Sequence, residues 1–137
     1  MTLGLSRNNP GNLLPEHVPW LGLTALQPDE GPLQFENMID GIRAFVKLCY
    51  TYQGEGLDSP FKFVWNYSPI ASNPTTQYIE NVCRWTGFVE AQVLDFHDTP
   101  TMISWAHAIF AQEQGREPAS VITDDMINAA IAMANGE

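Results

Sequence analysis

The chain has 137 residues, of which 45% are hydrophobic, so it is long enough for one domain with a buried core. Its formal net charge is -10, from 16 acidic and 6 basic residues, which argues against binding to nucleic-acid phosphates or to anionic membrane surfaces. No apolar run approaches the roughly 18 residues of a membrane span, and the first residues lack the pattern of a secretory signal. We therefore expect no membrane insertion and no signal peptide.

The N-terminal part of the chain differs in composition from the rest. Residues 1–35 hold five Pro and four Gly and show no long hydrophobic period. Both residue types interrupt regular structure and are typical of turns. We therefore predict an irregular, loop-rich arm over residues 1–36, with a short extended piece around Leu33 to Phe35.

Helical periodicity dominates residues 37–137. Apolar side chains recur three or four residues apart in several segments, as expected for helices that pack against a core. The sequence therefore predicts a mainly α-helical, compact single domain. The predicted helices are Met38 to Tyr52, Pro60 to about Asn66, Thr75 to Thr86, a helix opened by Thr99-Pro100 and ended by Gly115, and Asp124 to about Asn135. The N-cap signals that precede the last four are Ser59, Asn73, Thr99 and Thr123.

The segment Arg7-Asn8-Asn9-Pro10-Gly11-Asn12 concentrates polar side chains in the arm. Three amides and a guanidinium supply donors and acceptors, while Pro fixes one backbone angle and Gly permits a positive one. Such a rigid turn can bind the hydroxyl and N-acetyl groups of a sugar. The alternative is a structural loop in which the Asn side chains bond to nearby backbone.

Glu113 is the main candidate for chemistry. It follows Ile109 by four residues and therefore shares the apolar stripe of its helix. Burial, the carbonyl dipoles at the end of the helix and the nearby Glu117 would each raise its pKa. A carboxylic acid that stays protonated near neutral pH is what glycosidic cleavage needs as a general acid. The alternative is a Glu at the edge of the stripe that reaches water near Arg116.

No second catalytic carboxylate is fixed by its spacing to Glu113. A hydrolase with two carboxylates needs the second one about 5–9 Å away across a cleft, whereas a transglycosylase can use one Glu and a hydroxyl of the substrate as internal nucleophile. The histidines and cysteines show no metal-ligand spacing, so we expect no metal and no cofactor. The candidates for a second carboxylate are Asp29, Glu30, Glu36 and Asp40.

Two more residues are candidates for ligand contact. Trp20 offers a flat ring on which a sugar can stack, although core packing is the usual role of Trp. Arg43 lies one residue off the apolar stripe of its helix, where it can pair with Asp40 or Glu36 or guide a ligand. Both interpretations stay open for each residue.

The order of these motifs resembles a group of bacteriophage proteins. Some members are virion or structural proteins, and some related chains are peptidoglycan-degrading, lysozyme-like domains. The most specific parts of the resemblance are the opening hexapeptide and the element Gly41-Ile42-Arg43-Ala44. The shared order is Arg7-Asn8-Asn9-Pro10-Gly11-Asn12, Trp20-x-Gly22, Phe35, Gly41-Ile42-Arg43-Ala44, Thr75-x-x-Tyr78 and Ala108-Ile109-x-x-x-Glu113-x-Gly115.

The resemblance implies a lysozyme-like fold with Glu113 as the catalytic acid. In lysozyme-like chains that share this hexapeptide type, a helix ending in Glu commonly precedes it. Here the comparable helix lies near the C-terminal end of the chain, an order that resembles a circular permutation. The residues implied to bind substrate are Arg7, Asn8, Asn9, Asn12, Trp20, Arg43 and Tyr78.

The partners implied by the resemblance are the glycan strands of peptidoglycan. For a non-enzymatic structural protein on the same fold, they are other virion proteins. The expected location is the phage virion or the host cell, with action at the host periplasm or cell wall if the chain is an enzyme. The negative charge alone also fits an acidic inhibitor of a host protein.

Overall fold

Seven helices make up more than half of the described chain in the computed structural model, which covers residues 1–16, 18–68 and 74–136. Within these ranges the structure has no sheet, only an isolated antiparallel bridge between Leu23 and Phe35. None of the described helices is long and apolar enough to cross a membrane. The predicted mainly helical class is confirmed. The helices are α1 (Leu3–Ser6), α2 (Met38–Gly54), α3 (Pro60–Tyr67), α4 (Thr75–Thr86), α5 (Thr99–Gln114), α6 (Arg116–Ala119) and α7 (Asp124–Asn135).

Two of the predicted helix starts are confirmed by their capping bonds. The Ser59 hydroxyl accepts a hydrogen bond from the backbone N–H of Lys62 at 3.2 Å, and Thr123 accepts one from the backbone N–H of Met126 at the same distance. Each bond satisfies an N–H that has no partner inside the helix. The predicted cap Asn73 lies outside the described residues.

The start of α5 differs from the prediction by one residue. Its N-cap is Asp98 and not Thr99, because the Asp98 carboxylate accepts both the backbone N–H of Thr101 at 3.1 Å and its hydroxyl at 2.6 Å. A carboxylate also suits the positive end of the helix dipole. Helices α1 and α6 were not predicted, since a single turn is too short to show a hydrophobic period.

The core lies where α2 packs against α5 and α7, with α4 packed against α3 and α5. Aromatic rings dominate its centre. Phe45 and Phe110 meet edge to face at a centroid distance of 5.0 Å, and Phe63 meets Trp105 in the same way at 5.1 Å. All four are fully buried. This packing fixes α5 relative to α2 and α3.

A smaller apolar cluster holds the N-terminal arm on α2. It consists of buried Leu13, Leu33 and Phe35 from the arm and Ala44 from α2. The arm backbone also comes very close to the helix at Gly41, where a Cβ would collide with the Asn8 carbonyl. Glycine at this position lets the hexapeptide lie directly on α2.

Candidate functional site

A cleft of about 580 Å³ lies between the N-terminal arm and the helical body. The arm contributes Gly11 and Asn12, and the end of α3 contributes Tyr67. The last turn of α5 adds Glu113 and Gln114. Residues from the two ends of the sequence therefore share one cleft wall.

Glu113 is half-buried in this wall, and both of its carboxyl oxygens accept hydrogen bonds. The side-chain amide of Asn12 donates to Oε1 at 2.9 Å. The hydroxyl of Tyr78, on α4, donates to Oε2 at 2.8 Å. Because both donors are uncharged, they orient the carboxyl without neutralising it. The structure thus brings together three of the residues that the sequence singled out.

Burial raises the pKa of Glu113 above its ordinary value, because an apolar environment disfavours the charged form. The hydrogen bonds from Asn12 and Tyr78 act in the opposite direction and offset part of that rise. The direction of the shift and its largest cause, burial, both agree with the expectation from the sequence. The expected contribution of Glu117 is absent, since that side chain is exposed on α6 and does not affect the Glu113 pKa.

Two tyrosines flank the acid, of which Tyr78 is fully buried and Tyr67 is half-buried. Burial, followed by the nearby negative charge of Glu113, raises the pKa of Tyr78 and of Tyr67 well above the ordinary value. The Tyr67 hydroxyl donates to the backbone carbonyl of Gly11. Both tyrosines therefore keep their protons and act as donors, so Glu113 is the member of this group that loses its proton first as the pH rises.

Asn9 is fully buried, and its side-chain hydrogen bonds among the described residues all go to the arm itself. Its amide nitrogen donates to the carbonyls of Leu13 at 2.9 Å and Leu33 at 2.8 Å, and its oxygen accepts from the Leu13 N–H at 2.9 Å. In this geometry the side chain has no face towards a ligand. Asn9 supports the wall of the cleft from behind, as in the structural-loop alternative for the hexapeptide.

Arg7 and Asn8 also bond to backbone. The Arg7 guanidinium donates to the carbonyls of Glu30 at 2.8 Å and Pro32 at 2.7 Å. Asn8 has a positive φ of 55° and donates through its amide to the carbonyl of Phe35 at 3.0 Å. Both residues therefore tie the hexapeptide to the second half of the arm, and neither lies in the cleft wall.

Asn12 is the member of the hexapeptide that reaches the acid. Its φ is also 55°, in the left-handed region that Asn tolerates better than most residues. This turn in the backbone directs the Asn12 amide towards Glu113, although 101 residues separate the two positions. Trp20 is half-buried against the small cluster on α2, and Arg43 is buried on α2, so neither side chain contributes to the cleft wall.

The chain is similar to Protein P5 of Pseudoalteromonas phage PM2, with 31% identity over 119 residues. The similarity covers 84% of this chain and 72% of the phage protein. The chain belongs to the family of Protein P5. This relationship indicates a phage protein, in agreement with the resemblance seen in the sequence. No protein-family model matches the chain.

In this P5-family chain, Glu16 and Glu113 are the described acidic residues that line the cleft. Glu16 lies on the arm and is exposed. It was missed because nothing in its local sequence marks it as a cleft residue. Within the described ranges, no three His, Cys, Asp or Glu side chains come together as a metal site would require. The acids that the sequence offered as a second carboxylate lie outside the cleft wall, namely Asp29, Glu30, Glu36 and Asp40.

Proposed function

We propose that this phage protein is a lysozyme-like domain that cleaves the glycan backbone of peptidoglycan, with Glu113 as general acid and base. The observation that supports the proposal is the state of the Glu113 carboxyl. It lies in a cleft, its pKa is raised by burial, and two neutral donors hold it. A general acid must be protonated and in place when the substrate arrives. Burial favours the protonated form of Glu113, and the two donors fix the position of its carboxyl.

The two donors suit both states of the acid. Proton transfer from Glu113 to the glycosidic oxygen releases one sugar while positive charge develops on the ring of the other. The carboxylate that results accepts stronger hydrogen bonds from Asn12 and Tyr78 than the neutral acid does. The same contacts therefore stabilise the site after the transfer, and burial favours the protonated form before it.

In the second step of the reaction a nucleophile attacks the charged sugar ring. For this step the carboxylates of the cleft favour a transglycosylase-type route over hydrolysis. A catalytic base must be held firmly, yet Glu16 is exposed and makes no hydrogen bond to another described residue. Glu113, once deprotonated, can take the proton of a substrate hydroxyl that attacks the ring from within. The one well-held carboxyl thus serves as acid first and as base afterwards.

The contact between Asn12 and Glu113 supports a permuted lysozyme-like arrangement. The hexapeptide and the last turn of α5, which carries Glu113, lie far apart in sequence, yet they meet in one cleft. A circular permutation changes the order of elements and keeps such a contact. We therefore propose the whole chain as one such domain, with the arm as the part that carries the hexapeptide.

The test compares the wild type with two matched variants on purified peptidoglycan sacculi. Glu113→Gln removes the proton donor, whereas Glu117→Gln makes the same chemical change at an exposed site on α6. We expect the wild type and Glu117→Gln to clear the suspension, and Glu113→Gln to be at least about 100-fold slower. Equal clearing by all three proteins would exclude Glu113 as the catalytic acid.

A non-enzymatic virion protein on the same fold is the second candidate. Two observations favour it. One is the net charge of -10, which disfavours an anionic cell-wall polymer, and the other is the set of four exposed Leu side chains on the arm, at Leu3, Leu14, Leu21 and Leu26. Such a protein would bind other virion proteins through the arm. A well-folded wild type that neither clears nor binds sacculi, yet co-purifies with virion proteins, would support this candidate.

A further inference from the structure

Gln114 follows the acid in sequence, and its buried side chain lies in an amide network beside it. Its amide nitrogen donates to the Pro10 carbonyl at 2.9 Å and to Asn12 Oδ1 at 3.0 Å. Its amide oxygen accepts from the hydroxyl of Thr2. Because a backbone carbonyl can only accept, Pro10 decides which end of the Gln114 amide faces it.

Gln114 in turn decides the direction of the Asn12 amide. Since Asn12 Oδ1 accepts from Gln114, its Nδ2 is left to face Glu113, where it donates to Oε1 at 2.9 Å. A reversed Asn12 amide would place oxygen against the carboxylate and NH₂ against the NH₂ of Gln114. When Glu113 is protonated, an unrestrained Asn12 could turn and accept from the acid, and Gln114 removes that freedom.

The backbone of α1 encloses the two amides from another side. A Cβ on Gly4 would collide with Asn12 Oδ1 and with Gln114 Nε2, so the helix backbone lies directly on the pair. Gly4 itself is buried. The side-chain amides of Asn12 and Gln114 are therefore packed against the α1 backbone. Hydrogen bonds to Glu113 on one side and to Pro10 and Thr2 on the other leave the pair one arrangement.

We propose that Gln114 is a positioning residue, which sets the direction of the Asn12 amide and through it holds the Glu113 carboxyl in its place in the cleft. The catalytic meaning of this role rests on the proposed function, but the network can be measured without any activity. The other titratable groups facing Glu113 are Tyr67 and Tyr78, with Glu16 elsewhere in the cleft wall. Both tyrosines stay protonated, so their titration does not mask a change at Glu113.

The test uses Gln114→Met, which keeps the length of the side chain and removes both polar ends. Without the Gln114 amide, the Asn12 amide is free to rotate, and its NH₂ faces Glu113 for only part of the time. Glu113 then loses a hydrogen-bond donor that favours its charged form. We expect the Glu113 pKa to rise by about one pH unit. NMR titration of the protein with ¹³C-labelled Glu side chains measures it, and Glu113→Gln identifies the signal. The alkaline limb of glycan release should move in the same direction.

A double-mutant cycle separates an effect through Asn12 from a direct one. Asn12→Gly accepts the positive φ and removes the amide, so by itself it should raise the Glu113 pKa to a similar extent. In that background Gln114→Met should cause no further shift. Thr2→Val releases the outer end of Gln114 and should move the pKa in the same direction by a smaller amount.

Two results would overturn the proposal. One is a folded Gln114→Met protein whose Glu113 titrates as in the wild type. The other is a further shift in the Asn12→Gly background, which would mean that Gln114 acts on the acid directly. Should Gln114→Met not fold, the titration of Thr2→Val takes its place, and an unchanged Glu113 pKa in that variant would overturn the proposal. A shift in a protein that releases no glycan would establish the network and refute the proposed function, so the two failures are distinguishable.

Discussion

Replacement of Glu113 by Gln removes the titrating proton and leaves the surrounding contacts able to form. The new amide oxygen can accept from Asn12, and the new NH₂ can face the Tyr78 hydroxyl, whose oxygen is able to accept. The number of hydrogen bonds is the same as for the protonated acid. At a pH near 4, where the acid is protonated, we therefore expect free energies of unfolding within about 1 kcal/mol of each other. For a domain of this size that is about 4 °C in Tm.

The difference between the two proteins should change with pH in one direction. The pKa of Glu113 is raised in the folded state above its ordinary value of 4.5. Its protonation therefore favours folding below that value, and this contribution is lost as the pH rises through the folded-state pKa. Glutamine has no such loss. The Tm of Glu113→Gln minus that of the wild type should accordingly increase between pH values of about 4 and 8.

The assay is a series of thermal melts of wild type, Glu113→Gln and Glu117→Gln across this pH range. Glu117 is exposed, so its variant should follow the wild type to within about 0.5 kcal/mol at every pH. A flat difference for Glu113→Gln, or one that shrinks as the pH rises, would contradict a raised pKa. Such a result would mean that burial does not favour the protonated form of Glu113 in the folded protein.

Three further substitutions probe the surroundings of the acid. Tyr78→Phe removes the donor to Oε2 and should raise the Glu113 pKa by about one unit in NMR titrations; an unchanged value would mean that this bond does not favour the charged form. Asn9→Ala leaves the buried Leu33 carbonyl and the Leu13 N–H without the side-chain partner, and it removes one of the two donors to the Leu13 carbonyl. It should lower the free energy of unfolding in urea by about 3 kcal/mol, and a loss below about 1 would show that water replaces them. Glu16→Gln should keep glycan release within about fivefold of wild type, whereas a loss above about 100-fold would indicate a two-carboxylate hydrolase.

The helical body could be predicted from the sequence because its long helices bury continuous apolar stripes. Helix starts could also be predicted from capping residues, as at Ser59 and Thr123, where the side chain accepts a hydrogen bond from the first turn of the helix. The single-turn helices α1 and α6 are held by tertiary contacts and leave no periodic pattern. The cap of α5 moved to Asp98 because two acceptor groups compete there, and the carboxylate bonds twice.

The candidate site could be predicted in part. Glu113 was visible from its place on an apolar stripe near a helix end, but the directions of the hexapeptide side chains were not. Asn9 and Asn12 are chemically the same residue, yet one is buried in the arm and the other faces the acid. A positive φ at Asn12 and backbone partners many residues away decide this. Gln114 and Glu16 carry no local signal at all, since their roles depend on residues from distant parts of the chain.

Mass spectrometry of the soluble products from sacculi treated with the wild type tests the central claim most directly. Glycan cleavage with Glu113 as acid predicts muropeptides with newly formed glycan ends, and these should be absent after treatment with Glu113→Gln. Anhydro ends would identify the transglycosylase route, and reducing ends a hydrolase. The contradicting result is a folded wild type that releases no muropeptides, or products with intact glycan and cut peptides.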